Sequence, residues 1–498
     1  MNALDRVIGF ISPESGLKRA RARAAYQVVR NYEGGSVGRR TEGWRAVGSS
    51  ADASASGSLS ILRYRSRDLT RNNPYAQAAL RVIANNVVGD GIEAQASQGG
   101  KRQNRADAVM KAWKAWSRST NCDAEGRKNF YVMQSLVMRT VAESGECFVR
   151  RYYRGSSSGL DLKMQVQVLE PDYLDTSRTD FSGTRDGAGT FNGIKYDKNG
   201  KILGYYFFKE HPGDNKGTVA VESVYVAAKD VLHIFREDRP GQSRGVPWCA
   251  PVIIRMRNFD EYEDAQLMIQ KVSACFGAFY SEDNPLPGGQ RPGAIPDTLE
   301  PGGITVMPAG GKIEFAEPPV VDAFKDYAQV SLRSIAVGYG VTYEAITGDL
   351  SGVNFSSGRM GWIEFSRNVN AWRWNMLIPQ FCQGIWDWFV EALALTQGQS
   401  IVDGVTVQWT PPRREMINPK EEIAATVDAV RSGLQSLPEA LRERGFDPDE
   451  VFREIAETNE KLDKLKLSLE SDPRRLTRQG QAQVTDVDNT GVNANGEQ

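Results

Sequence analysis

The stretch "LRSIAVGYGVTYEAITGDLSGVNFSSGRMGWIEFSR", residues 332–367, decides how this chain is read. On its left, Val320, Phe324, Tyr327, Leu332, Ile335 and Tyr339 recur at three to five residues, close to one face of a helix. On its right, Trp362, Phe365, Val369, Trp372 and Met376 step by three and four, which predicts a second helix. Between them "GDLSGVNFSSGR", residues 348–359, is made largely of Gly, Ser, Asn and Asp, which favour turns. Helices in a compact fold are usually joined by a few residues, so so long a connection is either an exposed connector or a functional element. Five of the ten tryptophans lie between Trp362 and Trp388, so the second helix is expected to be deeply packed or a subunit contact.

Upstream, Pro251 to Tyr280 carries the longest helical pattern, residues 251–280, with Ile254, Phe259, Tyr262, Leu267, Ile269, Val272, Phe276 and Phe279 apolar. Thirty helical residues would extend roughly 45 Å, too far for a small domain. A Pro/Gly-rich stretch separates this helix from the one ending near Gly340, and "GITVMPAGGKIEFAEP", residues 303–318, reads as a hairpin. Further back, residues 146–239 change period. "KMQVQVLEP" alternates, and "GIKYDKNGKILGYYFF" gives two strands around Asn199-Gly200. Three helices precede this region, the first with Asn73 as N-cap, Pro74 at its first position and Gly89 as its stop. Strands grouped inside a helical framework give an α+β class. After "VTVQWTPPRRE" the chain is helical again, and residues 471–498 have almost no apolar side chains and read as disordered.

Composition excludes several classes. With 40% hydrophobic and 25% charged residues the 498-residue chain is globular, and its net charge of −1 does not mark a tight nucleic-acid binder. Basic residues concentrate in residues 1–48, nine against four acidic, and in "LRYRSRDLTR", where a surface ion-pair network is expected. "VGSSADASASGSLS", residues 47–60, reads as a flexible linker. The five cysteines are scattered, so neither a redox CxxC nor a thiolate metal site is expected, and no run of 18 apolar residues predicts a membrane span.

Chemistry is hard to find. His211, in a turn, and His233, alternating on a strand, are the only histidines and read as structural. "PAGGKIEF" lacks the glycine and Ser/Thr of a phosphate loop. The two GxSxG matches, residues 155–159 and 241–245, have no strand running directly in and no helix directly out. No catalytic residue, metal ligand or cofactor is expected.

The ordered series "RSRDLTRNNPYAQAALRVIANNVVGDGI", "EHPGDN", "VLHIFREDRPGQSRGVPW", "RNFDEYEDAQLMIQKVSA", "LEPGGITVMPAGGKIEF" and residues 332–367 resembles the lambda-type portal proteins of tailed bacteriophages, over about residues 62–452. The resemblance implies a ring-forming α+β fold, generally of twelve subunits, with wing, stem, clip, tunnel loop and crown. It sits at one capsid vertex and passes double-stranded DNA, which a separate terminase pumps in.

Carried over, residues 1–61 would be an arm and linker, 62–250 the wing, 251–280 the first stem helix, 281–319 the clip, and 320–341 the second stem helix. Residues 342–358 would be the tunnel loop, 359–395 the Trp-rich helix behind it, 396–417 a strand returning to the wing, and 418–470 the crown, with a tail at 471–498. The implied channel residues are Asp349, Ser351, Val353, Asn354, Phe355, Ser356 and Ser357; Arg359 and Arg367 are DNA or inter-subunit contacts, or ordinary solvated helix arginines. Pro285, Pro287, Pro292 and Lys312 would dock the terminase large subunit and then the head-completion and connector proteins. Other implied partners are further copies of the chain, the major capsid protein and the scaffold, but no membrane. The protein would be assembled in the bacterial cytoplasm and kept in the virion. Two alternatives remain at this level: another phage head or connector protein, or a carboxylate-dependent nuclease using a residue such as Asp349.

Overall fold

The computed structural model describes residues 42–43, 48–97, 103–180, 189–214, 222–275, 278–282, 311–315, 324–413 and 415–467. The chain divides into two units, Met1–Ser54 and Ala55–Gln498. In the first, the described residues are 42–43 and 48–54, where Ser50 Oγ accepts from Ala53 N at 3.2 Å. The expected flexible linker is corrected here. Residues 51–56 are helical and the next helix begins at Leu59, because the alanines favour helix and Ser50 supplies a cap. All that follows concerns the second unit.

Helix α1 (Leu59–Asn72) runs into α2 (Pro74–Val87) across Asn73, whose side chain accepts from Ala76 N. The carbonyls at the far end of α2 are capped by a distant side chain: Arg373 Nε and Nη2 donate to Val87 O and Asn86 O, each at 2.7 Å. Helices α3 (Gln103–Arg118) and α4 (Phe130–Ser144) follow, α4 capped by Asn129. Strands β2 (Glu146–Tyr153), β3 (Met164–Leu169) and β8 (Val231–Phe235) form an antiparallel sheet in the order β3-β2-β8. A second antiparallel sheet joins β4 (Gly189–Phe191), β5 (Ile194–Tyr196), β6 (Ile202–Phe208) and β7 (Ser223–Ala227) in that order. The turn expected at Asn199-Gly200 joins β5 to β6, with Gly200 at φ +79°. Strand β1 (Glu93–Ser97) pairs antiparallel with β11 (Thr406–Thr410), which brings residues 406–410 back beside the early part of the chain. This is the α+β arrangement that the change of period predicts.

The main core gathers around Trp113, which is fully buried on α3. Its ring lies 5.1 Å from Phe130, 5.1 Å from Trp386, 5.0 Å from Phe389 and 6.3 Å from Trp409, at tilted or edge-on angles that suit aromatic quadrupoles. One side chain thus joins α3, α4, β11 and the tryptophan-rich helix. That helix runs without a break from residue 355 to 397 as α8 (Phe355–Trp372), a π-helical segment (Arg373–Cys382) and α9 (Gln383–Gln397). Pro379 lies in the π segment. It has no N–H to donate, and wider π spacing is one way a helix tolerates such a gap. Trp372, Trp386 and Trp388 are buried and Trp362 half-buried, as packing predicts, whereas Trp374 is 51% exposed. A smaller core of Phe148, Leu169, Ile194, Tyr205, Phe207 and Val226 lies between the three-stranded and the four-stranded sheet.

Helices α5 (Ile253–Cys275) and α6 (Phe324–Tyr339) pair antiparallel: Gly338 lies against Val252, while Tyr262 stacks on Phe324 at 5.9 Å and meets Tyr327 edge-on at 4.5 Å. A Cβ on Gly338 would come within 2.4 Å of Val252 Cγ1, so a glycine is needed where the helices cross. The first stem helix, expected over 251–280, ends at Cys275, and residues 278–282 form β9 (Ala278–Glu282). β9 pairs with β10 (Gly311–Phe315), whereas the sequence places both strands of that hairpin within residues 303–318. Aromatic residues at 279–280 suit a strand as well as a helix, and the available partner strand decides. The last elements are α10 (Pro419–Arg431), α11 (Leu437–Glu443) and α12 (Pro448–Leu465).

Candidate functional site

The α5/α6 pair is anchored at one end. Val252, just before α5, Ile253, Met256 and Phe259 of α5, and Leu332, Ile335, Ala336 and Tyr339 of α6 are buried in the main core. Residues 260–271 of α5 include no buried side chain, and Leu267, Met268 and Val330 are 49%, 60% and 60% exposed. A pair of helices therefore leaves the body with apolar side chains uncovered, a feature that marks interaction surfaces.

Beyond α6 the expected tunnel loop, residues 342–358, is shorter and more ordered than its composition suggests. Thr342 caps a short helix α7 (Tyr343–Thr347), which Gly348 terminates at φ +71°. Asp349 Oδ1 then accepts from Ser351 N at 3.0 Å and from Ser351 Oγ at 2.6 Å, while Tyr343 donates its hydroxyl to Oδ2 at 3.0 Å. The hydrogen bonds from Ser351, followed by that from Tyr343, hold this carboxyl below its ordinary range. Asn354 starts α8: its Oδ1 accepts from Ser357 N at 2.8 Å and Ser357 Oγ accepts from Asn354 N at 3.0 Å, a reciprocal capping box.

Phe355, Ser356, Ser357 and Gly358, expected in the loop, thus form the first turn of α8, and apart from the cap residue Thr342 only residues 348–354 lack helix. The polar residues that look like flexible coil act as caps. Leu350 and Phe355, 66% and 59% exposed, stand on either side of the turn, and Met360 on α8 is 71% exposed. Residues 348–358 contain Asp349 and no Lys or Arg.

Arg359 and Arg367 are exposed on α8, and both line a cleft of about 740 Å³ with Trp362, Trp374, Glu415 and Glu439. Arg367 pairs with Glu364 at 2.8 Å in a solvated i,i+3 contact, worth about 0.5 kcal/mol. Of the expected docking residues, Pro285, Pro287 and Pro292 lie outside the described residues, and Lys312 sits on β10 opposite Ser281.

One deeply buried charge cluster among the described residues has no signature in the local sequence. Glu146, wholly buried at the start of β2, accepts from Arg63 on α1 and from Arg244 Nε at 2.9 Å and 3.0 Å. Gly245 N and His233 Nε2 each lie 2.9 Å from Oε2. Burial alone would raise this carboxyl; Arg244, Arg63 and His233 outweigh it and hold the group well below the usual range. Burial pushes His233 down, against the pull of Glu146.

Two of the four arginines in residues 62–71 are therefore not part of a surface network, whereas Arg71 does pair with Asp68 at 3.8 Å on the surface. Arg63 is buried on Glu146, and Arg67 binds Asp172 at 2.5 Å. "GQSRG" is a packing loop: a Cβ on Gly245 would lie 2.1 Å from Gly145 O, so two backbones touch there. The available signal was a glutamate opening an otherwise apolar strand, "ECFV", at residues 146–149.

Glu170, Asp172 and His211 bring ligand-type atoms within 4.8 Å of one another. The group does not suit a cation. The Arg67 guanidinium already lies 2.5 Å from Asp172 and 3.2 Å from Glu170. His211 Nδ1 accepts from Gly213 N at 3.1 Å, which puts the proton of the neutral ring on Nε2, 3.4 Å from Glu170 without hydrogen-bond alignment.

A pair of helices leaving the body, a capped turn without cations and two small antiparallel sheets define a fold, and comparison with known proteins assigns it. The profile of the family described as "Phage portal protein, lambda family" matches residues 37–373. The chain is 27% identical over 416 residues to the "Probable portal protein" of Halomonas phage phiHAP-1, covering 80% of this chain and 79% of that one. It is 23% identical over 484 residues to "Portal protein B" of Escherichia phage lambda, covering 86% and 90%. Among solved structures, a chain of "Neck of empty GTA particle computed with C6 symmetry" is similar at 13% identity and a TM-score of 0.45, over 82% of this chain and 98% of that one.

The chain belongs to the lambda family of phage portal proteins. It is a structural component of the phage virion and not an enzyme. Among the described residues no helix is long and apolar enough to cross a membrane.

Proposed function

We propose that twelve copies of this chain close into a ring at one capsid vertex, with α5 and α6 walling a bore through which double-stranded DNA is packaged and later released. The observation that carries this reading is the uncovered apolar surface of the α5/α6 pair, with Ile254 70%, Met268 60%, Val330 60% and Val337 78% exposed in the single chain. Neighbouring copies are the economical cover for such a surface.

Asp349, Ser351, Val353, Asn354, Phe355, Ser356 and Ser357 face the bore. Each phosphate neutralised by Lys or Arg adds salt-dependent affinity and so resists movement, and residues 348–358 offer none. Hydroxyl and amide groups there touch phosphates without reading sequence. The segment that β9 and β10 open and close receives the terminase large subunit and later the head-completion proteins. The major capsid protein and scaffold surround the wing, and assembly takes place in the host cytoplasm. Negative-stain images of the purified protein test the ring: annular particles with a central hole are expected, and a field of small particles without holes in every assembly-permissive buffer refutes it.

A further inference from the structure

Helices α10 and α11 enclose an open groove of about 760 Å³, lined by Ile423, Val427, Val430, Leu437, Leu441 and Phe446. Ile423, Val427, Leu437 and Phe446 are 50%, 40%, 49% and 47% exposed, so the chain leaves its own groove unfilled. The next helix has the opposite problem. Along α12, Val451, Ile455, Thr458, Leu462 and Leu465 alternate spacings of four and three, the seam of a helix that packs against another. Yet Pro448 is its one buried residue, and Ile455 and Leu465 are 52% and 67% exposed. At its first turn Glu450 lies 3.5 Å from Lys114 of the body.

We propose that α12 of one copy lies in the α10/α11 groove of the next copy, a head-to-tail contact repeated around the ring. Glu454 and Glu457 flank the apolar seam on one side, and Arg413 and Arg431 stand exposed at the rim of the groove, so seating the helix brings opposite charges together. The chain's own residues 468–498 are a poor substitute. Their large apolar residues are Leu469, Leu476, Val484, Val487 and Val492, too widely spaced to present one helical face. A heterologous contact of this kind closes into a ring when its rotation divides the circle, so this inference rests on the ring reading and gives it a specific joint.

The test pairs Val427→Cys with Ile455→Cys in full-length protein carrying Cys275→Ser; Cys122, Cys147, Cys249 and Cys382 are buried. Oxidation followed by denaturing electrophoresis should give a ladder of covalent multimers, whereas each single cysteine variant should give none beyond dimer. Rings visible by microscopy together with only monomeric bands, or with a fast-migrating internally linked monomer, overturn the inference while leaving the ring intact. Absence of rings from the parent protein removes both readings. Independently, Arg431→Glu should lower the ring-to-monomer ratio about tenfold, and adding Glu454→Arg should restore it. An unchanged ratio in Arg431→Glu, or no recovery in the double variant, also counts against the joint.

Discussion

Replacing Glu146 by Gln removes one charge from the most enclosed ion cluster described and leaves its shape nearly unchanged. In the native chain that carboxylate accepts from Arg63, Arg244, His233 and Gly245 N, and its side chain has no exposure. The amide would turn an acceptor into a donor facing two guanidinium groups and would leave both cations without a counter-charge. Breaking a buried ion pair by removing one partner costs about 3–5 kcal/mol. At roughly 2–4 °C per kcal/mol, the apparent Tm should fall by the order of ten degrees. Tryptophan fluorescence during heating at neutral pH reads this directly, with Lys209→Ala as control, because the Lys209–Glu222 pair is solvent-exposed on both sides.

The pH dependence follows from the sign of each shift. Glu146 has a folded pKa below its unfolded one, so its contribution is complete above about pH 4.3 and is lost as pH falls towards the folded pKa. The gap between native protein and Glu146→Gln should therefore narrow in acid. His233, neutral by burial, binds its proton more readily when unfolded, so the native protein should already lose stability as pH drops below about 6.5. Substituting Arg63→Met, Glu146→Leu and Arg244→Met together should recover most of the loss, since an apolar cluster leaves no charge stranded. A Tm for Glu146→Gln within two degrees of native, with the control unchanged, would refute the reasoning.

Three further substitutions test other joints. Gly245→Ala should cost about 1–3 kcal/mol or more and reduce soluble yield, because the new methyl meets the Gly145 carbonyl and the backbones must separate. Trp113→Ala should lower stability by about 3–5 kcal/mol in thermal unfolding, since it empties the junction of α3, α4 and α9. Asn354→Ala should cost only about 1 kcal/mol, measured as faster amide exchange in the first turn of α8, while Asn354→Asp should keep the cap.

Local signals and long-range ones differ in what they reveal. The α2 helix was legible because Asn73, Pro74 and an apolar face agree within fifteen residues, and the β5–β6 turn because Asn199-Gly200 supplies its own left-handed backbone. The region after α6 misled in the opposite direction. Thr342, Asn354 and Ser357 belong to the residue types that favour loops, yet each is spent on a helix end, so the expected loop contracts to residues 348–354. The Glu146 cluster had no local signature at all: Arg63 and Arg244 lie 83 and 98 residues away in sequence, and nothing short of the fold brings them to one carboxylate. The portal family was legible for a third reason, a series of long motifs in fixed order, which carries identity without specifying which side chains touch.

A cryo-electron reconstruction of the assembled protein, asking where residues 349–357 fall, tests the central claim most directly. Density for these residues from every copy at the narrowest part of a common bore is the predicted result. A closed ring whose inner wall is formed by other residues, with Asp349 and Phe355 on its outer surface, would contradict it.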